Sequence, residues 1–568
     1  MNFTQEQKKI FEFVKSGSGH GIIDAVAGSG KTTTIMKCTK YVENQERTLF
    51  CAFNNSIADE IKKRLCKDGS GDVTVKTIHA LGYQLLKNQS SRNLKVKAHK
   101  YSQLLRSKAM RENLAEYYQQ IFELMLENQW VYPWTKTDIA ERRGVVFKDI
   151  QFRIDDTLLN LVDKNRLTLP RTDDEFEEMV EQYRILTAVQ REAGLLKLYR
   201  KMHDILLEEG NALAREASSI DYADMLYLPY KWELSSLMTY DFIFIDECQD
   251  LSRAQLYTVM KYASQKCRVM SVGDPFQAIY GFAGADAESF NRISQTFQAT
   301  PFPLTTCFRC PEKVIELAKG IRADITGKKD NVDGKIHSIS NSEIEKKVAA
   351  GDLIISRKRD MLMVLAFNLL DKGKSISIHQ DDANSVISKL KSIFKPEERL
   401  QELNTSIQGN ETFWNYVLKR NNFRIEKEVG KEKSLNNVMK QMKIKEQKKA
   451  IEVSINFLKK LVSNWKHLST IEEILKELHD QITSHSSQAI KLSTIHRAKG
   501  LENDRVFILA YDELPLIHDA MQNWEIEQEK NLKYVALTRP KKELFLVNND
   551  IENIVKNRGS LFDNLPHL

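Results

Sequence analysis

Lys31 and Thr32 stand at the end of a run of small residues, Ala25-Val26-Ala27-Gly28-Ser29-Gly30, and are followed by Thr33 and Thr34. An apolar lead-in (Ile22-Ile23), a glycine-bearing loop and a helix-compatible stretch form the layout of a phosphate-binding loop. In such a loop the backbone N–H groups of residues 25–33 wrap the β- and γ-phosphates of a nucleotide. Lys31 reaches the same phosphates, and the Thr32 hydroxyl ligates Mg²⁺. The general pattern has glycine at its first position, where this chain has Ala25. A plain Gly-Ser turn beside a chance lysine would not explain the strand-like and helix-like contexts on the two sides.

A second group lies more than two hundred residues on. The run Tyr240-Asp241-Phe242-Ile243-Phe244-Ile245 predicts a buried strand tipped by Asp246-Glu247-Cys248-Gln249-Asp250. Adjacent carboxylates beside a phosphate loop suit nucleotide hydrolysis: Asp246 holds Mg²⁺, and Glu247 orients and deprotonates the attacking water. The alternative, a solvated turn, is poor because three clustered carboxylates repel one another without a cation. The strand Arg268–Val272 leads into Gly273-Asp274-Pro275-Phe276-Gln277, then Tyr280 and Phe282. Gln277 is a candidate γ-phosphate sensor. Tyr280 and Phe282 are candidates for stacking on nucleic-acid bases, although isolated aromatics more often belong to a core. Gln7, in a helix-like run upstream of the loop, has an amide that both donates and accepts, as reading an adenine edge requires.

The elements that must position these residues follow a simple rhythm. Strand-like runs at 48–53 and 73–77 alternate with helical ones, which predicts an α/β fold with a parallel sheet and a ligand at its strand C-terminal ends. The alternation stops between about 88 and 219, a helical stretch rich in charge, and resumes at 220. Pro301-Phe302-Pro303 reads as a domain boundary, because two prolines block regular continuation. Strand-like runs at 351–357, 489–494, 505–509 and 543–547 then build a second core, interrupted by a polar helical stretch from about 380 to 487. The expected organisation is a first core of residues 1–87 and 220–303 with an insertion at 88–219. The second core is 304–379 and 488–568, with an insertion at 380–487.

At 568 residues the chain is too long for one core. With 84 Lys and Arg against 77 Asp and Glu, the charge of +7 permits a nucleic-acid partner without demanding one. No apolar run approaches a membrane span and no basic-then-apolar leader opens the chain, so a cytoplasmic protein without membrane contact is expected. Seven cysteines suit a reducing compartment. Cys307-Phe308-Arg309-Cys310 has the spacing of half a zinc site, but no second Cys or His pair is near in sequence, and neither a metal nor a redox role is expected of it.

Taken in order, these blocks resemble superfamily 1 DNA helicases of the UvrD/Rep/PcrA type, over nearly the whole chain. The resemblance implies two RecA-like parallel-sheet domains, each with a mainly helical insertion, and ATP with Mg²⁺ bound in the cleft between them. It matches Gln7 to the adenine-reading glutamine and Ala25 to a usual alanine of the family, whereas Val26 replaces a usual glycine. Phe53, Asn54, Thr77 and His79 match DNA-contacting positions. So do Tyr280 and Phe282, the latter replacing tryptophan, and Thr494 and His496. Ala283 stands in place of an arginine. Asp246 and Glu247 match the magnesium and hydrolysis motif, with Gln255 completing it, and Gln277 matches the γ-phosphate sensor. Phe308 falls where an aromatic stacks on adenine, Arg309 and Arg539 at two γ-phosphate arginines, and Glu502 at a ribose-binding position. The function implied is an ATP-driven translocase on single-stranded DNA that separates duplexes, moving 3′ to 5′. Two other readings stay open: a motor that strips proteins from DNA, and a motor or sensor subunit of a nuclease or repair complex.

Overall fold

The computed structural model describes residues 3–548 except 91–92, 132–133, 135, 282–283, 285–287, 396–397, 400–410, 431–436, 466, 484–487 and 519–520. The chain divides into two compact units between Thr306 and Cys307.

Short apolar runs bounded by polar turns make the strands of the first unit: β1 (Gly21–Ala25), β2 (Thr48–Ala52), β3 (Thr74–Thr77), the two-residue pair β4 (Lys95–Val96) and β5 (Ser219–Ile220), β6 (Tyr240–Ile245), β7 (Ala263–Gly273) and β8 (Thr300–Leu304). Six of them form a parallel sheet in the order β3-β2-β6-β7-β1-β8. Successive side chains of a strand face opposite sides, and both sides are buried here. Ile22, Leu49, Cys51, Ile243, Ile245 and Val269 pack on one face. Ile23, Phe50, Ala52, Phe244, Met270 and Val272 pack on the other. Each of the larger side chains so buried contributes about 1.5–3 kcal/mol. The first face also takes the apolar sides of the helices between 100 and 217, so the helical segment shares the core of its sheet. Beneath it a buried ion cluster joins Lys100 and Arg166 to Asp224 (2.5 and 2.9 Å) and Arg166 to Asp221 (2.8 Å).

The expected boundary at Pro301-Phe302-Pro303 lies just before the division after Thr306, but the two prolines do not interrupt regular structure. These residues lie inside β8, paired with Ile22, Ile23 and Asp24 of β1. Proline is excluded from central strands because it lacks a ladder donor, but an edge strand tolerates it, and β8 is at the edge.

The second unit carries the pair β9 (Thr306–Cys307) and β10 (Thr326–Gly327). Its parallel sheet is formed by β11 (Lys335–Ser340), β12 (Leu353–Ser356), β13 (Ile376–Ile378), β14 (Ile490–Thr494), β15 (Asn503–Leu509) and β16 (Pro540–Asn548), in the order β11-β16-β15-β12-β14-β13. Between β13 and β14 the described residues are helical, at Gln380–Lys391, Glu411–Gly430, Asn437–Asn464 and Ile471–Thr483. Trp414, Phe457 and Ile474 from these helices join the sheet residues Ile354, Leu492 and Phe507 in one core. No helix among the described residues is long and apolar enough to cross a membrane.

Candidate active site

Strand β1 ends at Ala25, and the helix Lys31–Cys38 begins six residues later. The turn between them needs glycine twice: Gly28 has φ +70° and Gly30 φ +79°, in the left-handed region that a Cβ disfavours. Open space surrounds Gly30, so its constraint is conformational rather than steric. Val26 has a local role that the sequence did not reveal. Its N–H donates to the Leu304 carbonyl of β8 (2.9 Å), and its own carbonyl accepts from Ser29 (3.3 Å), with the side chain wholly buried. Lys31 is largely buried, its Nζ 4.0 Å from Asp274 Oδ2.

The acidic pair meets this loop directly. Thr32 Oγ1 donates to Asp246 Oδ2 at 2.8 Å, across 214 residues of sequence. Burial, and then the neighbouring Glu247 charge, push the Asp246 carboxyl above the usual range, against the pull of Thr32 and Lys31. A hydroxyl and a carboxylate oxygen brought together at this loop are the hard oxygen donors that Mg²⁺ would take. Among the described residues no group of three or more His, Cys, Asp or Glu is placed to hold a metal.

Glu247 adopts φ +53°, ψ +43°, a left-handed conformation costing about 1–3 kcal/mol in a residue with a side chain. Its carboxylate is held by Gln249, whose Nε2 donates to Glu247 Oε2 (2.6 Å) while its Oε1 accepts from the Asp274 N–H (3.1 Å). Gln277 Nε2 then donates to Asp274 Oδ2 (2.5 Å). A continuous run of hydrogen bonds thus joins Glu247 through Gln249 and the backbone N–H and side chain of Asp274 to Gln277, with Lys31 beside Asp274. Gln249 and Asp274 were not singled out by sequence reasoning, because only folding shows that they bridge two strand ends. Gly273 permits the bridge: a Cβ there would lie 2.5 Å from Gln249 Oε1 and 2.9 Å from Cys248 Sγ. Gly273→Ala is therefore expected to destabilise the fold by about 1–3 kcal/mol through overpacking and to reduce nucleotide turnover. Thermal melting beside an ATPase assay checks this.

Phe53 and Tyr280 lie after β2 and β7, at the C-terminal edge that also carries Asp246, and their rings stack with centroids 6.0 Å apart and planes 17° from parallel. Phe282 lies outside the described residues. Asn54 and Thr77 are helix caps: Asn54 Oδ1 accepts from Ile57 N–H (2.9 Å) and Thr77 Oγ1 from Ala80 N–H (3.3 Å). His79, held below its ordinary pKa by burial, lines an open groove of about 640 Å³ with Lys76, Tyr83, Lys87 and Tyr222. In the second unit Thr494 ends β14 and is buried. His496 is pushed down to about 4 by burial and by the Arg357 and Arg359 charges.

Some expected ligands already have partners. Gln7 Oε1 accepts from Thr4 N–H (3.0 Å) in a helix cap and its Nε2 donates to Thr34 Oγ1 (3.0 Å), so both ends of the amide that was to read adenine are engaged within the first unit. Gln255 likewise caps its own helix, accepting from Ser252 N–H (2.8 Å). In the second unit Glu502, expected at a ribose, is gripped by Arg309 Nε on one oxygen and Lys541 Nζ on the other, both at 2.6 Å. Arg309 Nη1 donates to the Thr538 carbonyl (3.3 Å), and Arg539 Nη2 to the Thr538 hydroxyl (3.1 Å). The two arginines thus converge on one threonine. Arg539 is buried and also donates to the Val535 and Leu501 carbonyls, whereas Arg309 is partly exposed and Phe308 is exposed.

A parallel α/β sheet bearing a glycine-dependent phosphate loop, with an acidic pair and a glutamine linked beside it, defines a P-loop nucleotide hydrolase. The chain matches the UvrD/REP helicase N-terminal domain over residues 3–298. It is 25% identical to F-box DNA helicase 1 of Gallus gallus over 99% of this chain and 50% of that protein. It is 22% identical to a probable DNA helicase II homolog of Mycoplasma pneumoniae (96% and 84%) and 21% identical to ATP-dependent DNA helicase Rep of Buchnera aphidicola (96% and 91%). The chain belongs to the UvrD/REP helicase family. It is by class an ATP-hydrolysing enzyme that acts on DNA, and its two parallel sheets fit the RecA-like pair of that family.

Proposed function

We propose that this protein moves 3′ to 5′ along single-stranded DNA and separates duplexes, using ATP hydrolysed at the loop of the first unit. In this reading Lys31 and the loop N–H groups hold the phosphates, and Thr32 and Asp246 hold Mg²⁺. Bound there, the ion would supply neutralisation of the negative charge on the phosphates. Glu247 takes the proton of the attacking water. Gln277 senses the γ-phosphate, and Arg309, with Arg539 beside it on Thr538, offsets the charge on the transferring phosphoryl group. Phe308 stacks on the adenine.

The observation that carries the reading is the segment Asp274–Tyr280. Its first residue is 4.0 Å from Lys31, Gln277 is bonded to Asp274, and Tyr280 is stacked on Phe53. A phosphate-dependent shift of Gln277 therefore reaches the base-stacking pair three residues later, which is the link between hydrolysis and grip that a translocase requires. ATP-dependent unwinding of 3′-tailed and 5′-tailed duplexes is the test, and only the 3′-tailed substrate is expected to open. Equal opening of both would overturn the polarity. Strong DNA-stimulated hydrolysis without unwinding, together with removal of a bound protein from DNA, would favour the stripping motor. Unwinding restored only by a co-purifying nuclease or repair factor would favour the subunit of a larger complex.

A further inference from the structure

We infer that Cys307 and Cys310 form a peroxide-oxidisable pair whose disulfide lowers ATP hydrolysis by disturbing the contacts that hold Arg309 on Thr538. The inference rests on the assignment of Arg309 to hydrolysis made above.

The two cysteines bracket the turn that carries Phe308 and Arg309, between β9 and the helix Glu312–Lys319. Both are free and buried, and they bond to each other: the Cys310 N–H points at Cys307 Sγ (3.4 Å), and the Cys310 thiol is a hydrogen-bond partner of the Cys307 sulfur. The single Cys310 thiol proton is shared between the Cys307 sulfur and the Thr538 carbonyl (3.5 Å), the atom that accepts from Arg309 Nη1 (3.3 Å). One buried carbonyl thus ties the thiol pair to the arginine, and through the Thr538 hydroxyl to Arg539. The hydrogen bond from Cys310, backbone N–H groups and the Arg309 charge favour the Cys307 thiolate, the form that reacts. Cys38, Cys51 and Cys248 are also buried, but burial raises their thiols instead.

The chemistry balances with hydrogen peroxide as oxidant. The Cys307 thiolate attacks one peroxide oxygen, the O–O bond breaks, and a sulfenic acid forms as the other oxygen leaves and is protonated to water. Cys310 sulfur then displaces that hydroxyl, the S–S bond forms, and the hydroxyl departs as a second water with the Cys310 proton. Two electrons pass from the pair to the peroxide. The product has no S–H to give to Thr538, and the four-residue turn is closed by a covalent bond. A dithiol reductant reverses the step by thiol–disulfide exchange.

The test uses the full chain carrying Cys66→Ser, which removes the exposed thiol. After hydrogen peroxide, peptide mapping is expected to show a 307–310 disulfide lacking two hydrogens, with most DNA-stimulated ATPase lost and recovered on dithiothreitol. Adding Cys310→Ser keeps a hydroxyl donor for Thr538, so basal turnover is expected to persist while the dithiothreitol-reversible loss disappears. Absence of the disulfide, or a disulfide with unchanged turnover, overturns the inference. If the disulfide forms and Arg309→Ala alone leaves hydrolysis intact, the assignment of Arg309 is what fails.

Discussion

Arg309→Ala is expected to lower kcat for DNA-stimulated ATP hydrolysis by about 10³–10⁵-fold, the range for arginines that neutralise a transferring phosphoryl group. The ground state argues that the loss falls on turnover. Arg309 is partly exposed and held by a carboxylate, Glu502, and by a carbonyl, Thr538. A phosphoryl group gathering negative charge competes for the same guanidinium as a stronger acceptor. Deleting the side chain leaves Glu502 paired with Lys541 at 2.6 Å, so no uncompensated charge is created and the fold should persist. Steady-state kinetics beside equilibrium binding of a fluorescent ATP analogue separates the two effects. A kcat within about tenfold of the parent would contradict the role, since the arginine effect is larger by orders of magnitude.

Glu247→Gln is expected to cost about 10²–10⁴-fold in hydrolysis, the usual worth of a positioned general base. The amide has the size of the carboxylate and keeps an oxygen to accept from Gln249 Nε2, so the bridge to Asp274 and Gln277 survives. Glutamine meets the left-handed backbone at position 247 with a side chain of the same shape, so no added strain is expected there. Binding of single-stranded DNA, which involves none of these atoms in this reading, should stay at the parental level. Filter binding alongside phosphate release gives both quantities on one preparation, and normal phosphate release would show that some other group activates the water.

How much of this was readable in advance depended on burial. β6 was anticipated residue for residue, because Tyr240–Ile245 is covered on both faces and so reads as an unbroken apolar run. β11 and β13 were not, because both lie at sheet edges, where Lys335–Ser340 is only partly buried and mixes polar with apolar residues and Ile376–Ile378 is very short. The phosphate loop and acidic pair were legible because their chemistry demands particular residues at fixed local spacing. The bridge through Gln249 and Asp274 was not, since its residues meet only when β6 and β7 are laid side by side. Gln7 shows what the sequence leaves out: its amide is chemically suited to a base edge, and the fold also bonds it to a helix cap and to Thr34, leaving one N–H and one lone pair.

The prolines of β8 have one more consequence. Thr300 donates toward β1, to the His20 carbonyl, and Leu304 accepts from Val26, so even-numbered residues of this strand face their neighbour. The outward-facing donors belong to residues 301, 303 and 305. Two of these are prolines and have none, and the Thr305 N–H is taken by Glu6 Oε2 at 3.1 Å. The border of the sheet is left without a donor row, and an edge that cannot donate is a poor template for another chain. Pro301 and Pro303 thus do more than precede the end of the first unit at Thr306. They make its last strand unable to recruit a foreign one, and their replacement by residues with an N–H would open that border to self-association.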